Sequence, residues 1–168
     1  SKKYLKMGKK VACIGGDHSV PLGLIKALGQ ECSEFGILHI DAHLDLRKKY
    51  EGFDFSHASI MFNVINEVSN LEKLVSVGIR DYSRDEKKIT NDLSDKIDVF
   101  WDSSKRNHLY RGGKFSDYVE EIMSKLPDKV YVSFDIDGLE RSYCPSTGTP
   151  VPGGLSFGEG VYILEQLC

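Results

Sequence analysis

Asp41, His43 and Asp45 alternate along the segment DAHLD, and each is a residue type that ligates divalent metals. In an extended backbone, residues i, i+2 and i+4 point to one side, so the spacing predicts that these side chains converge. Two further stretches echo the pattern: Gly15-Gly16-Asp17-His18-Ser19 upstream and Ser133-Phe134-Asp135-Ile136-Asp137 downstream. Together they offer two imidazoles, His18 and His43, and four carboxylates, Asp41, Asp45, Asp135 and Asp137. That is more than one cation needs, and it predicts a two-metal site. Carboxylate-rich sets with about one imidazole per ion favour hard divalent cations, and the lack of thiolates argues against structural zinc. Manganese fits first, with iron, cobalt or magnesium behind it. Two such ions roughly 3.5–4 Å apart can share a hydroxide nucleophile and clamp both sides of a displacement. Asp17, one place before His18, is expected by alternation to point away, as a turn or outer residue.

The elements that must position these residues are legible as patterns. Each motif follows a hydrophobic run rich in β-branched residues, at 11–14, 35–40 and 130–134. The near-continuous run over 35–40 predicts a strand covered on both faces. Further strands are predicted over 74–79, 97–101 and 129–135. Helical spacing predicts helices over 20–30, with Pro21 tolerated in the first turn, and over 58–68, 84–93, 116–126 (capped by Ser116) and 157–167. This β-α-β-α order with short connections predicts a three-layer α/β/α fold around a doubly wound, mostly parallel sheet. Ligands in such sheets bind beyond the carboxyl ends of the strands, where all three motifs sit. No repeat or linker interrupts the pattern, so 1–168 reads as a single domain. A basic helix end precedes the first strand and an uncapped helix runs into Cys168. Both lead to the expectation of an incomplete copy lacking N- and C-terminal elements.

The bulk numbers exclude several classes. With 168 residues, 40% of them hydrophobic and 28% charged, the composition is ordinary for a globular protein. A formal net charge of −3 and scattered Lys and Arg give no footprint for nucleic acid or an anionic membrane. No apolar run approaches membrane-spanning length, and residues 1–10 are basic without a signal-peptide core, which fits a cytoplasmic enzyme. The four cysteines lack C-x-x-C spacing, so neither a zinc cluster nor a disulfide framework is expected. Cys13 reads as a small apolar filler in a buried strand. Gly148, Gly153 and Gly154 read as turn glycines, since no Lys-Ser/Thr follows them to make a phosphate loop.

GGDHS, DAHLD and SFDIDGLERSYCPSTGTPVPGG resemble the three signature stretches of the ureohydrolase family, which comprises arginase, agmatinase and their relatives. The likeness runs over essentially the whole chain. It implies an arginase-like fold, two Mn(II) ions per chain and hydrolysis of a guanidino or formimino C–N bond in a small molecule. Carried over by position, His18 would ligate one metal and His43 the other, with Asp41 and Asp135 bridging them. Asp45 would complete the first metal's ligand set and manage a proton, and Asp137 would belong to the second. His57 matches a histidine that lines the active-site mouth and shuttles protons in the family. A loop histidine before a helix is otherwise a surface residue.

Asp81 and Glu86 match carboxylates on the substrate side of the pocket. Ser83 stands where arginases carry the carboxylate that receives an α-amino group, and the loop 46–56 lacks their carboxylate-binding pattern. Agmatine cleavage to putrescine and urea is therefore the first expectation, with arginase, guanidinobutyrase or formiminoglutamase activity behind it. Arg47 near the mouth is the feature that favours an acidic guanidino compound. Glu140-Arg141 replaces the family's usual acidic residue and proline, so the turn after Asp137 loses a fixed φ. The family's guanidinium-anchoring glutamate falls past the end of this chain. A truncated, non-catalytic metal-binding domain is accordingly the second expectation, and a single-metal deacetylase of the same broad fold class the third. The resemblance also implies a homo-oligomer, a trimer or hexamer. His39 shares parity with Asp41 but lies deeper, as a core or outer imidazole; His108, among Lys105, Arg106 and Asn107, reads as solvated; and Arg80 reads as structural.

Overall fold

A strand covered on both faces can spare no position to solvent, and Phe35–Ile40 (β1) spares none: all six residues are buried. The computed structural model describes residues 1–167. Among them β1 pairs in parallel with Leu71–Ile79 (β2), which pairs in parallel with Ile97–Trp101 (β3). Val130–Phe134 (β4) pairs in parallel with the other edge of β1, giving the order β3-β2-β1-β4. All strands run one way, so every exit lies at one edge of the sheet. That edge carries Asp41 after β1, Asp81 after β2 and Asp135 after β4.

The helices are Lys2–Lys6 (α1), Leu22–Glu31 (α2), Ile60–Glu67 (α3), Arg84–Asp92 (α4), Asp102–Tyr110 (α5), Phe115–Ser124 (α6) and Phe157–Glu165 (α7). Strand alternation divides the core between them. Phe35, Ile37 and Leu74 pack with Ile25 of α2 and with Ile60, Met61 and Val64 of α3. Leu38, Ile40, Val75 and Val77 pack on the opposite face with Val119 and Ile122 of α6 and Ile163 of α7. Each such side chain contributes roughly 1.5–3 kcal/mol when fully buried, so these two clusters hold the layers together. The expected three-layer architecture is present.

Several expected elements differ. Residues 11–14 form no strand: Cys13 is exposed, Ile14 is 101% exposed, and the segment enters no ladder among the described residues. β-Branched residues favour extended backbone but a strand also needs a partner edge, and none meets this segment. Lys114 rather than Ser116 occupies the position before α6, with no side-chain capping bond; Ser116 lies inside the first turn and donates to Asp117 Oδ1 at 3.0 Å. α5 was not expected, because its buried residues are Asp102 and Lys105 and it has no apolar stripe. His108 in α5 is not merely solvated; its Nε2 lies 2.9 Å from the Lys114 carbonyl. β2 begins three residues earlier than its pattern, and α7 ends at Glu165, with Cys168 outside the described residues. No helix among the described residues is long and apolar enough to cross a membrane.

Candidate metal centre

The three motifs meet because their backbones are tied at the strand exits. Asp41 N donates to Val77 O at 3.1 Å, Asp135 N to Ile40 O at 2.9 Å, and Arg80 N to Ala42 O at 2.8 Å. Two glycines permit this crowding. A Cβ on Gly138 would lie 2.8 Å from Asp41 N, and Gly78, at φ +89°, would set one 3.1 Å from Asp41 O. Simple strand alternation does not carry Asp45 into the centre, as the i, i+2, i+4 spacing had predicted. β1 ends at Ile40, and Asp45 sits in the left-handed region at φ 52°, a conformation costing a non-glycine residue roughly 1–2 kcal/mol. Its carbonyl accepts from Met61 N and Phe62 N at 3.0 and 3.2 Å, so the start of α3 holds the turn.

The side chains form two interlocked groups. His18 Nδ1 lies 2.9 Å from Asp41 Oδ2, 2.9 Å from Asp45 Oδ2 and 3.5 Å from Asp135 Oδ2. Its other nitrogen, Nε2, is 2.8 Å from Ser133 Oγ. His43 Nδ1 lies 3.3 Å from Asp41 Oδ1 and 3.4 Å from Asp137 Oδ2. The donor atoms of His18, His39, Asp41 and Asp45 fall within 4.8 Å of one another, as do those of Asp41, His43 and Asp137. Asp41 belongs to both groups, with one oxygen facing each. Asp135 stands at the margin, its Oδ1 accepting from Asp137 N at 3.1 Å and its Oδ2 turned to His18. His18 Nδ1 is buried without a hydrogen-bond partner although three carboxylates surround it. A ring nitrogen aimed among carboxylates at angles that make no hydrogen bond suits a cation placed between them.

Charge crowding argues likewise. Burial pushes the Asp45 carboxyl up, the neighbouring Asp41 charge adds to it, and the group sits at about 6. Burial, Asp41 and Asp137 likewise raise Asp135. Burial would raise Asp41 too, but contacts with His18, His39 and His43 overturn it and hold that carboxyl well below the usual range. Burial lowers the histidines, yet Asp41 and Asp45 hold His18 up to about 11, and Asp137 and Asp41 hold His43 up to about 10. Without a metal the centre keeps protons where cations belong.

The centre floors a cavity of about 920 Å³. His57 lines its wall at the start of a 3-10 turn, His57–Ser59, with Tyr50 edge-on at 5.1 Å. Asp81 lines it too, with Oδ2 3.8 Å from His43 Nε2. Arg47 at the mouth stands 5.5 Å over the Tyr50 ring and 3.7 Å from Glu86. Asp17 is the turn residue expected, its Oδ1 accepting from the backbone and hydroxyl of Ser19, but it lines the cavity rather than pointing away from it.

Ser83 and Glu86 are otherwise committed. They form the reciprocal cap of α4, and the remaining Glu86 oxygen accepts from Leu46 N at 3.1 Å. Ser83 is absent from the cavity lining, and Glu86 reaches the lining while 3% exposed. The sequence pattern does not reveal Tyr82, which carries no spacing signal, or the partners Ser76, which strand register brings to His39, and Ser133, which meets His18 of a segment outside the described ladders; the 146–151 wall falls in the signature stretch at 133–154.

The arginase family model matches residues 1–168. An N(1)-aminopropylagmatine ureohydrolase of Thermus thermophilus is 40% identical over 165 residues, covering 98% of this chain and 52% of that protein. The agmatinase of Proteus mirabilis is 32% identical over 169 residues, covering 99% of this chain and 50% of that one. The chain thus spans about half the length of the curated relatives it matches. Among solved structures, the agmatine ureohydrolase of Thermoplasma volcanium superposes with a TM-score of 0.82 at 27% identity, over 99% of this chain and 53% of that one. Motifs, fold and relatives agree, and this chain belongs to the arginase family.

Proposed function

We propose that this chain carries the metal centre of a hydrolase that splits a guanidino C–N bond, with agmatine, giving putrescine and urea, as the leading substrate. The observation that carries this reading is the pair of ligand groups sharing Asp41 on the floor of an open cavity. His18 and Asp45 would hold one Mn(II), His43 and Asp137 the other, with Asp41 and Asp135 shared between them. Two bound cations would supply water activation and charge stabilisation. The chain's own groups do the rest. Asp45, buried and crowded by Asp41, takes the proton that water gives up on adding to the guanidinium carbon. That proton passes to the leaving nitrogen as the C–N bond breaks, and the hydroxyl proton left on the former water oxygen follows it as the carbonyl of urea forms, so one water and one alkylguanidinium become one alkylammonium and one urea. His57 in the wall exchanges protons with solvent.

Agmatine has no α-carboxylate or α-amino group, and the commitment of Ser83 to its helix cap supports a substrate without them. A second reading, agmatine extended by an aminopropyl group, is favoured by the 40% identical Thermus relative. The single-metal deacetylase reading accounts for the Asp41, His43 and Asp137 set but leaves His18 and Asp135 without a role, and with them the second ligand group. Urea release from agmatine, N(1)-aminopropylagmatine, arginine and guanidinobutyrate, beside metal analysis, tests the proposal. Two ions per chain and preference for either agmatine compound are expected. Preference for arginine overturns the substrate, and two ions with no urea from any guanidine supports the non-catalytic reading instead.

A further inference from the structure

Arg80 leaves β2 beside the centre and touches none of the ligand side chains. Its guanidinium donates to Gly78 O at 3.1 Å, Asp137 O at 2.6 Å, Leu139 O at 3.2 Å and Val151 O at 2.9 Å, with Nε also 3.3 Å from Val151 O. Among the described residues no carboxylate lies within ion-pair distance of it; the groups it feels from further away include Asp102, Asp137, Asp41 and Cys144. A half-buried cation spending its donors on four backbone carbonyls is organising backbone. Those carbonyls belong to the β2 exit, to the turn that carries Asp137, and to the cavity wall at Val151. The planar fork matters here, because several donors in fixed directions can hold carbonyls from separate segments and an ammonium cannot.

The same wall is closed from behind by a buried cluster. Lys105 Nζ donates to Gly154 O at 2.8 Å and to Glu159 Oε2 at 3.0 Å, and Gly154 N lies 3.3 Å from Asp102 Oδ1. That cluster grips the far end of the loop from Leu139 to Leu155, two residues that bridge each other. Arg80 reaches both the loop and the ligand turn, which Thr149 Oγ1 to Asp137 Oδ2 at 3.3 Å, Cys144 Sγ to Ile136 O at 2.7 Å and Leu155 N to Gly138 O at 3.0 Å also join; Arg80 adds the tie from both to the β2 exit.

We infer that Arg80 is a positioning residue that sets Asp137, and with it the metal shared by Asp137 and His43, in fixed register with the Val151 wall. The inference rests on the two-metal reading above. It predicts unequal damage. Removing the fork should loosen the Asp137 side and leave the His18 and Asp45 side in place.

The test compares Arg80→Lys, which keeps the charge and loses the fork, with Arg80→Met, which loses both. Metal content is measured by titration with Mn(II) alone, and the spin-coupled signal of paired Mn(II) is followed by electron paramagnetic resonance. In Arg80→Lys one ion should bind as in the parent and the other roughly 10–100-fold more weakly, the range found for outer partners of metal ligands. The coupled signal should give way to that of isolated Mn(II). If Arg80→Met does not fold, Arg80→Lys carries the test alone. An Arg80→Lys protein that keeps both ions at parental affinity, loses both equally, or fails to fold overturns the proposal. A parent protein that binds fewer than two ions instead overturns the two-metal reading, so the failures are distinguishable.

Discussion

The ligand residues are chemically alike but hold unequal places. Asp41 turns one oxygen to His18 and the other to His43, whereas each histidine faces one side only. Asp41→Asn puts a neutral amide between two dications and should weaken both, and Asp135→Asn should do the same if it bridges as proposed. His18→Ala or His43→Ala should chiefly empty one position. Among the described residues His57 belongs to neither ligand group, so His57→Asn should leave metal content intact and lower turnover by the ~10²–10⁴ typical of losing a general acid or base. Metal per chain and turnover, measured together across this series, check the set. An Asp41→Asn protein that keeps both ions, or a His57→Asn protein that loses them, would contradict these roles. His39 adds a supporting contact: its Nε2 meets Asp41 Oδ2 at 2.9 Å and its Nδ1 meets Ser76 Oγ at 3.2 Å. Parity gave its depth in the sequence, but Ser76 becomes its partner only through the pairing of β1 with β2. Asp45 is the opposite case. Its type and spacing marked it as a ligand, while the left-handed turn that delivers it left no trace in the letters.

Among the elements, α4 ties the site to the scaffold through one cap. Ser83 accepts from Glu86 N, and Glu86 takes Ser83 N and Oγ on one oxygen and Leu46 N on the other, fastening the helix to the turn just after Asp45. Ser83→Ala should cost about 1 kcal/mol, as lost N-caps do. Glu86→Ala should cost more, because Leu46 N and Ser83 N are left unpaired. Urea denaturation midpoints for both variants measure this. If Ser83 serves the helix, its alanine variant keeps the parental KM for agmatine; a large KM change would return Ser83 to the substrate side. The same scale shows what pattern reading can reach. β1 and β3 were legible because an apolar run needs only itself to be seen. Residues 11–14 look identical in letters yet make no strand, since pairing is a property of two segments. α5 was illegible for a related reason: its buried contacts are made by Asp102 and Lys105, which resemble surface residues until Glu159 and Gly154 are brought against them.

For the whole molecule, the centre couples metal binding to pH. In the metal-free protein His18 is held up to about 11 and His43 to about 10, from an ordinary 6.5, so both imidazoles are protonated at neutral pH. Metals take neutral imidazole, so each ion must displace about one proton, and its affinity should rise roughly tenfold per pH unit above 7. Asp45, at about 6, is already ionised there and adds little. Stability without metal runs the other way. A histidine whose folded pKa is raised contributes fully below 6.5, and the contribution fades as pH climbs through 10 and 11. Asp45 destabilises progressively between 3.8 and about 6 and by a constant amount above that. Between pH 7 and 9, then, the metal-free protein should lose thermal stability while the Mn(II)-loaded protein draws ahead of it. Unfolding temperatures with and without Mn(II), taken under anaerobic conditions at steps across that range, give the comparison. Proton release on metal addition in weak buffer gives an independent count. A gap in unfolding temperature that stays flat from pH 7 to 9, together with no released protons, would mean that neutral imidazoles already line the metal-free site and that the carboxylates do not hold the histidines charged.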